Sequence, residues 1–328
     1  MNPLEKKVLG STGLEVTRLG LGCASLGRLE GDDAQEQATK VVHRALSLGI
    51  NLFDTAPLYG AGKSEERLGK ALEGVPRDDY VLASKVGHLV RSPEEMESVP
   101  ADQPRRSIYK EYSYDGIMRS FEESLKRLGV DRIDILHIHD SDRHWDEAIS
   151  GAYPALDKLR SEGVIKGVSA GMNQWEMLAR FAREGEFDCF LLAGRYSLLE
   201  QGALDEFLPL CLEKNIGIMA GGTYNSGILA KSGQVDATYN YRKPPPEVAA
   251  KASALNAAAD RHGVDLKGAA SQFVLAHPAV TCIIPGTRFP ERVEENATVI
   301  EAEIPTAFWV ELKAEGLIHP EAPVPEEG

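Results

Sequence analysis

The feature that most constrains this chain is an alternation. Short apolar runs rich in branched residues recur along it, and stretches with helical spacing of apolar residues separate most of them. Eight such runs lie near Arg18 to Cys23, Asn51 to Thr55, Tyr80 to Lys85, Ile133 to His139, Ile165 to Ala170, Cys189 to Tyr196, Gly217 to Ala220 and Thr281 to Pro285. The clearest helical stretches are Ala34 to Leu48, Tyr114 to Leu128, Trp145 to Ser161, Asn173 to Arg183 and Glu247 to His262. Strand–helix alternation builds a parallel sheet, and right-handed crossovers can close eight strands on themselves. The expected fold is therefore α/β, a (β/α)₈ TIM barrel. An open doubly wound sheet would want a G-x-G-x-x-G turn after its first strand, and Gly20, Gly22 and Gly27 do not fit that spacing. Ahead of the first run, KVLGSTGLEVTRLG predicts a β-hairpin turning near Thr12-Gly13, placed to plug one barrel mouth.

At 328 residues the chain fits one barrel, so residues 1–328 are expected to form a single domain. A net charge of -14 spread along the sequence, with no basic cluster, argues against a nucleic-acid partner. No leader-like apolar segment opens the sequence and no long uncharged apolar run occurs, so a soluble cytoplasmic protein without a membrane partner is expected. Cys23, Cys189, Cys211 and Cys282 are far apart and sit mainly in apolar segments, which predicts buried thiols and no metal site. Residues 221–246 are rich in Gly, Tyr and Asn and end in three prolines. They read as a mobile loop at the functional face, with an inert insertion as the alternative.

In a barrel of this kind reactive side chains gather at the C-terminal ends of strands. Asp54 and Tyr59 in NLFDTAPLYG, Lys85 in VLASKVG and His139 in RIDILHIHD all follow such runs. Taken singly, each has a structural reading as a cap, a neutraliser, a rim residue or a satisfied histidine. Together they suit hydride exchange at a carbonyl or carbinol carbon, which needs a proton donor and acceptor at the oxygen. A tyrosine serves if its pKa of about 10 is lowered, and a neighbouring ammonium held by a carboxylate does that. Tyr59 is then the proton carrier, Lys85 its tuner, Asp54 the anchor of Lys85, and His139 the group that orients the substrate oxygen. His137, two residues earlier on the same side of the strand, reads as core.

The stretches FDTAPLYG, SKVG, DILHIHD and IPGTRFPERVEEN, in that order, resemble the motifs of the aldo-keto reductase family over almost the whole chain. The resemblance implies a barrel that binds NAD or NADP without a Rossmann domain, with Asp54, Tyr59, Lys85 and His139 as a catalytic tetrad. It also implies that the helix opened by Pro290 meets the adenosine half of the cofactor, with Arg292 near the ribose 2′ position and Asn296 on adenine. Free backbone N–H groups at such a helix start favour phosphate. Gly286, Thr287, Arg288 and Glu295 complete the expected cofactor end. The chain departs from the family pattern in having Ser169-Ala170 where a Ser-Asn pair is usual, Ala193 where Gln is frequent, and Gly286 where a lysine is common. Ser169, Asn173, Arg195 and Asn225 are the candidates for the carboxamide, and Tyr196 reads either as cofactor lining or as barrel filler.

Gly286 removes a cation, and Glu291, Glu294 and Glu295 crowd the helix start, so NAD is favoured although NADP is not forbidden. Within the family, LLAGRYSLLEQ, AGGTYNSGIL and GLIHPEAPVP resemble the aldose 1-dehydrogenase branch, whose members include L-fucose, D-threo-aldose and pyridoxal 4-dehydrogenases. That implies oxidation of an aldose at C1 to the lactone. His88, Asp140, Trp145 and Arg195 are the candidates for gripping such a sugar, with Trp145 stacking on the ring or stapling the fourth helix. A reductase of small aldehydes or ketones is the first alternative, and a cofactor-binding regulatory subunit the second. The sequence leaves the oligomeric state open.

Overall fold

The computed structural model describes residues 1–99, 107–230 and 237–325. The chain opens with β1 (Lys6–Val8) and β2 (Glu15–Thr17), antiparallel with Lys6 opposite Thr17. Their turn includes Gly13 in the left-handed region, at φ 70°. Then follow β3 (Leu21–Gly22), β4 (Leu52–Asp54), β5 (Val81–Val86), the arm strands β6 (His88–Val90) and β7 (Ile108–Lys110), and β8 (Ile135–His139). β9 (Gly167–Met172), β10 (Cys189–Ala193), β11 (Gly217–Gly221) and β12 (Val280–Ile283) complete the set.

Leaving out the hairpin and the arm, eight strands lie side by side in chain order and all pairs are parallel. The sheet closes on itself. Ile283 N–H donates to Arg18 O at 2.9 Å, Gly20 N–H donates to Ile283 O at 2.8 Å, and parallel bridges join Leu19 to Ile283 and Gly22 to Gly286. This is the (β/α)₈ barrel the alternation predicts.

Because successive strand residues face opposite sides, each strand feeds two cores. Leu52, Val81, Ala83, Ile135, Cys189, Leu191, Met219 and Cys282 pack inside the barrel, and Leu9 and Val16 of the hairpin join them. The alternate residues Phe53, Leu82, Leu136, Val168, Phe190 and Ile218 face the helices. The hairpin thus seals the barrel floor, which leaves the C-terminal ends of the strands as the open mouth.

The helices at Ala34–Leu48 and Tyr114–Leu128 have the bounds their periodicity predicts, each stopped by a left-handed glycine, Gly49 or Gly129. The stretch expected as one helix from Trp145 to Ser161 is instead a helical turn, a π turn at Ala148–Ala152 and a helix at Tyr153–Ser161. Pro154 lacks the N–H that regular continuation needs, and the backbone widens ahead of it. Of the helices outside the clearest predicted stretches, Lys63–Leu72 is strongly polar, Phe207–Glu213 is short, and Leu266–Ala276 is buried nearly all round, so its apolar residues show no stripe. Among the described residues no helix is long and apolar enough to cross a membrane. All four cysteines are buried and unpaired.

The expected loop over 221–246 lies partly outside the described residues. Its described part is tied to two neighbours: Tyr239 donates its hydroxyl to Glu200, Arg195 donates to Asn240 Oδ1 at 3.4 Å, and the Arg28 guanidinium lies 5.3 Å from the Tyr241 ring centre. The loop therefore links the segments that follow β10 and β3.

If the hairpin is a structural plug, Leu9→Ala should cost about 2–5 kcal/mol of stability through the cavity it leaves, with kcat unchanged. Denaturant unfolding beside a steady-state assay checks this. A loss under about 1 kcal/mol would show that the hairpin does not support the barrel floor.

Candidate active site

Three of the four predicted residues arrive by strand parity. Asp54 ends β4, Lys85 is the penultimate residue of β5, and His139 ends β8; each continues the inward row of its strand. Tyr59 comes from the loop after β4. That loop is fixed by a close backbone crossing: a Cβ on Gly27 would lie 2.6 Å from the Tyr59 carbonyl carbon, and one on Gly60 would lie 2.3 Å from Gly27 O. Only glycines permit this approach, and Gly60 also holds φ at +66°.

Lys85 Nζ donates to Asp54 Oδ1 at 2.5 Å, to Asp54 Oδ2 at 2.7 Å and to Thr55 O at 2.9 Å. Both side chains are buried. Burial opposes each charge, yet the partners win: Asp54 is held below and Lys85 above its ordinary pKa, so the pair is ionised. Lys85 Nζ also lies 5.1 Å from the Tyr59 ring centre, near enough for its charge to favour the phenolate.

The Tyr59 phenol moves opposite to the expectation of a near-neutral group. Burial pushes it up to about 12, and Lys85 offsets only part of this because Asp54 opposes it. Tyr59 keeps part of its surface open at the mouth. In the protein alone Lys85 therefore limits an alkaline displacement rather than reversing it.

His139 is buried, edge-on to Tyr59 with ring centres 5.9 Å apart. Burial first, and then Lys85, hold its pKa well below the ordinary value, so the ring is neutral near pH 7. Its Nδ1 is buried with no hydrogen-bond partner among the described residues. His88 packs edge-on to it at 5.0 Å, is likewise kept neutral by burial at about 4, and also has a buried Nδ1 without a partner. Below them, Tyr112 donates to His139 O at 2.6 Å, and Lys110 Nζ donates to Asp140 O at 2.6 Å. Asp140 sits at φ 48° with its carboxylate 3.7 Å from His139 Nε2, and burial raises its pKa. The arm and its neighbours thus support His139. Sequence reasoning missed Tyr112 and Lys110, whose run carries no strand pattern strong enough to show the arm.

The other predicted residues divide. Trp145 packs at 4.7 Å on Phe181 with Arg180 over its ring, among the helix-facing core residues. Tyr196 is buried, stacked 5.3 Å from Phe273 beside His277. Ser169 is fully buried on the inward row two residues below Gly171, which pairs with His139, and its hydroxyl lies 2.6 Å from His137 Nδ1. Past the ends of β9 and β11, Asn173 donates to Ala193 O at 2.6 Å, and Asn225 donates to Gly194 O at 3.0 Å. Asn225 Oδ1 and Thr223 Oγ1 are buried without hydrogen-bond partners among the described residues. Thr223 was missed because its segment gives no periodic signal. Arg195 is engaged with Gly194 O, Glu200 and Asn240.

At the other end, Gly286 bridges to Gly22, and the buried Thr287 hydroxyl accepts from Phe289 N–H just before the helix Pro290–Glu301. Arg288 and Arg292 are exposed there, and Asn296 is buried. Arg28, Asp33, Gln37, Arg288 and Phe289 help line a cleft of about 610 Å³ at this end, apart from the tetrad. Glu294 pairs with Arg44 at 2.6 Å and Glu295 with Lys267. Two of the three carboxylates expected to repel a phosphate are thus neutralised, which weakens that ground for NAD. A nicotinamide dinucleotide fits these residues: orphaned polar atoms lie at one end, and a helix start with two arginines at the other.

A sequence model described as the Aldo/keto reductase family matches residues 18–315. The chain is 40% identical over 320 residues to the D-threo-aldose 1-dehydrogenase of a Pseudomonas species, covering 94% of this chain and 96% of the relative. It is 39% identical over 336 residues to the pyridoxal 4-dehydrogenase of Microbacterium luteolum, with 96% and 98% covered. Among solved structures, the holo form of an aldo-keto reductase from Bacillus halodurans matches at a TM-score of 0.76 and 28% identity, over 99% of both chains.

Tyr59→Phe should lose about 10² to 10⁴-fold in turnover and still bind cofactor, because it deletes only the proton carrier. Lys85→Met should move the rise of oxidation with pH further to the alkaline side, since the ammonium that favours tyrosinate is gone. Steady-state pH profiles with cofactor titrations read both. A Tyr59→Phe rate within a few-fold of the parent, or an unmoved profile in Lys85→Met, would overturn these assignments.

Proposed function

The chain belongs to the aldo/keto reductase family and is an oxidoreductase using a nicotinamide cofactor, and from that premise we propose that it oxidises an aldose at C1 to the lactone. The observation that carries this reading is the ionised Asp54–Lys85 pair, its ammonium 5.1 Å from the Tyr59 ring centre, beside the neutral imidazole of His139.

In the proposed reaction Tyr59, as tyrosinate, takes the proton of the C1 hydroxyl, and Lys85 stabilises the charge Tyr59 carries beforehand. His139, neutral, hydrogen-bonds the same oxygen and fixes which carbon faces the cofactor. Asp54 keeps Lys85 charged and in place. The cofactor, when bound, supplies the acceptor or donor of hydride. In the reducing direction Tyr59 delivers the proton instead, so direction follows from substrate and cofactor ratio.

Asn173, Thr223 and Asn225 would hold the nicotinamide end, and Thr287, Arg288, Arg292 and Asn296 the adenosine end. The described part of the 221–246 segment, tied to Arg195, Glu200 and Arg28, would lie over the dinucleotide between them. His88 and Asp140 supply polar atoms beside His139, which suits a polyhydroxylated substrate better than a small apolar aldehyde. NAD is the cofactor we favour, on the missing lysine at Gly286; with Glu294 and Glu295 paired, Arg288 and Arg292 leave NADP usable.

A panel of aldoses, pyridoxal and simple aldehydes, run with both cofactors and followed by nicotinamide absorbance, tests this. The expected result is the highest kcat/KM on an aldose, with NAD at least usable. Turnover confined to non-sugar aldehydes would replace the aldose reading, and a preference for NADP above about 100-fold would overturn the lean toward NAD.

A further inference from the structure

Beneath the tetrad lies a second polar group that the proposed chemistry leaves unused. His137 sits two residues before His139, on the inward row of β8, with no solvent exposure. Its Nδ1 is 2.6 Å from Ser169 Oγ, directly across the β8–β9 pairing, and its Nε2 is 3.4 Å from Asp54 Oδ2. A histidine that only filled the barrel would bring two ring nitrogens out of water for no gain, at a penalty an apolar residue avoids.

The surroundings decide the tautomer. Burial lowers the pKa of His137 and Lys85 opposes a second positive charge nearby, so the ring is neutral. One nitrogen then carries the proton. Asp54 is ionised and can only accept, so a bare Nε2 would set a lone pair against a carboxylate oxygen. The proton therefore belongs on Nε2. Nδ1 is left as acceptor, and Ser169 donates its hydroxyl to it.

We propose that His137 is a positioning residue for the active site, its Nε2–H held against Asp54 by Ser169, which fixes the imidazole tautomer. At 3.4 Å the Nε2 contact is longer than a good hydrogen bond, and among the described residues Nε2 has no other partner. Catalytic contacts of this kind tighten when the complex forms. The groups that face this centre are Asp54 from β4, Lys85 from β5, His139 on β8 itself and Cys189 from β10. Cys189, beside Ser169, is a neutral thiol because burial raises its pKa, so the carboxylate of Asp54 is the negative charge that His137 meets. Asp54 is thus gripped from two sides, by an ammonium above and an imidazole below. The imidazole dipole presents its positive end to Asp54, offsetting the carboxylate's repulsion of a tyrosinate at Tyr59. Ser169, expected from family resemblance at the nicotinamide carboxamide, also bears on Asp54 through His137 in this arrangement.

The effect on pH rests on the roles proposed above for Tyr59 and Lys85; the tautomer does not. Histidine-selective ¹⁵N NMR of the whole protein should show His137 protonated on Nε2 and bare on Nδ1, and the opposite tautomer would overturn the proposal whatever the enzyme oxidises. On its best substrate, His137→Leu should shift the rise of oxidation to higher pH by about half a unit, the share expected of one neutral hydrogen bond, and His137→Gln should recover part of it by restoring an N–H donor. Ser169→Ala should give a smaller shift the same way, read at saturating cofactor, and it decides the matter if His137→Leu does not fold. An unmoved profile in Ser169→Ala, with or without a raised cofactor KM, would overturn the role given to the pair.

Discussion

The barrel's mouth is organised by one ion pair, Asp54 with Lys85, placed where water cannot reach it. Two charges taken out of water carry a desolvation penalty of several kcal/mol each, which only close, fully hydrogen-bonded geometry offsets. The structure meets that condition: Lys85 Nζ has three acceptors, two of them on Asp54. Neighbouring parallel strands make this possible, because β4 and β5 pair with Asp54 opposite Ala83, and Lys85 then lies one inward position further along. The position of the pair follows from strand register rather than from loop conformation, so it is as rigid as the barrel.

The remaining parts stand in a definite relation to that pair. Tyr59 reaches it over a loop whose course depends on the Gly27–Gly60 crossing. His139 reaches it from the end of β8, braced through its carbonyl by Tyr112 and through Asp140 by Lys110. His137 and Ser169 lie a layer below, and the Leu9 and Val16 side chains of the hairpin fill the floor beneath. Reactive groups are thus at the top of a stack whose lower layers are progressively less polar. This arrangement keeps the charges paired and leaves solvent access to the mouth alone.

Much of this was legible in the sequence because strand parity and barrel geometry are local rules. Eight apolar runs, and the polar residue at the end of several of them, were enough to anticipate the barrel and to single out Asp54, Lys85 and His139. What stayed hidden depends on contacts between distant segments. His137 reads as core from its own strand, and its significance appears only when β9 brings Ser169 opposite it. Trp145 and Tyr196 are polar-tipped aromatics that suit a sugar or a nicotinamide equally well on paper, and nothing near them in sequence announces their packing on Phe181 and Phe273. Glu295 was read as a free carboxylate because nothing near it in sequence announces Lys267. The all-round buried helix Leu266–Ala276 gives no periodic stripe, since a stripe exists only where one face meets water.

The central claim is that Asp54 and Lys85 act as one unit, and a double-mutant cycle tests it most directly. Asp54→Asn and Lys85→Met should each destabilise the protein by about 3–5 kcal/mol, because each strands a buried charge; the double variant should lose no more than either single one. Unfolding measured near pH 7 reads the cycle where the pair is intact, since a depressed Asp54 pKa gives stability that is lost only as pH falls through it. A large coupling energy of that sign is what the structure predicts. Additive losses in the double variant would mean that the two residues contribute independently, and would contradict the view that this pair organises the site.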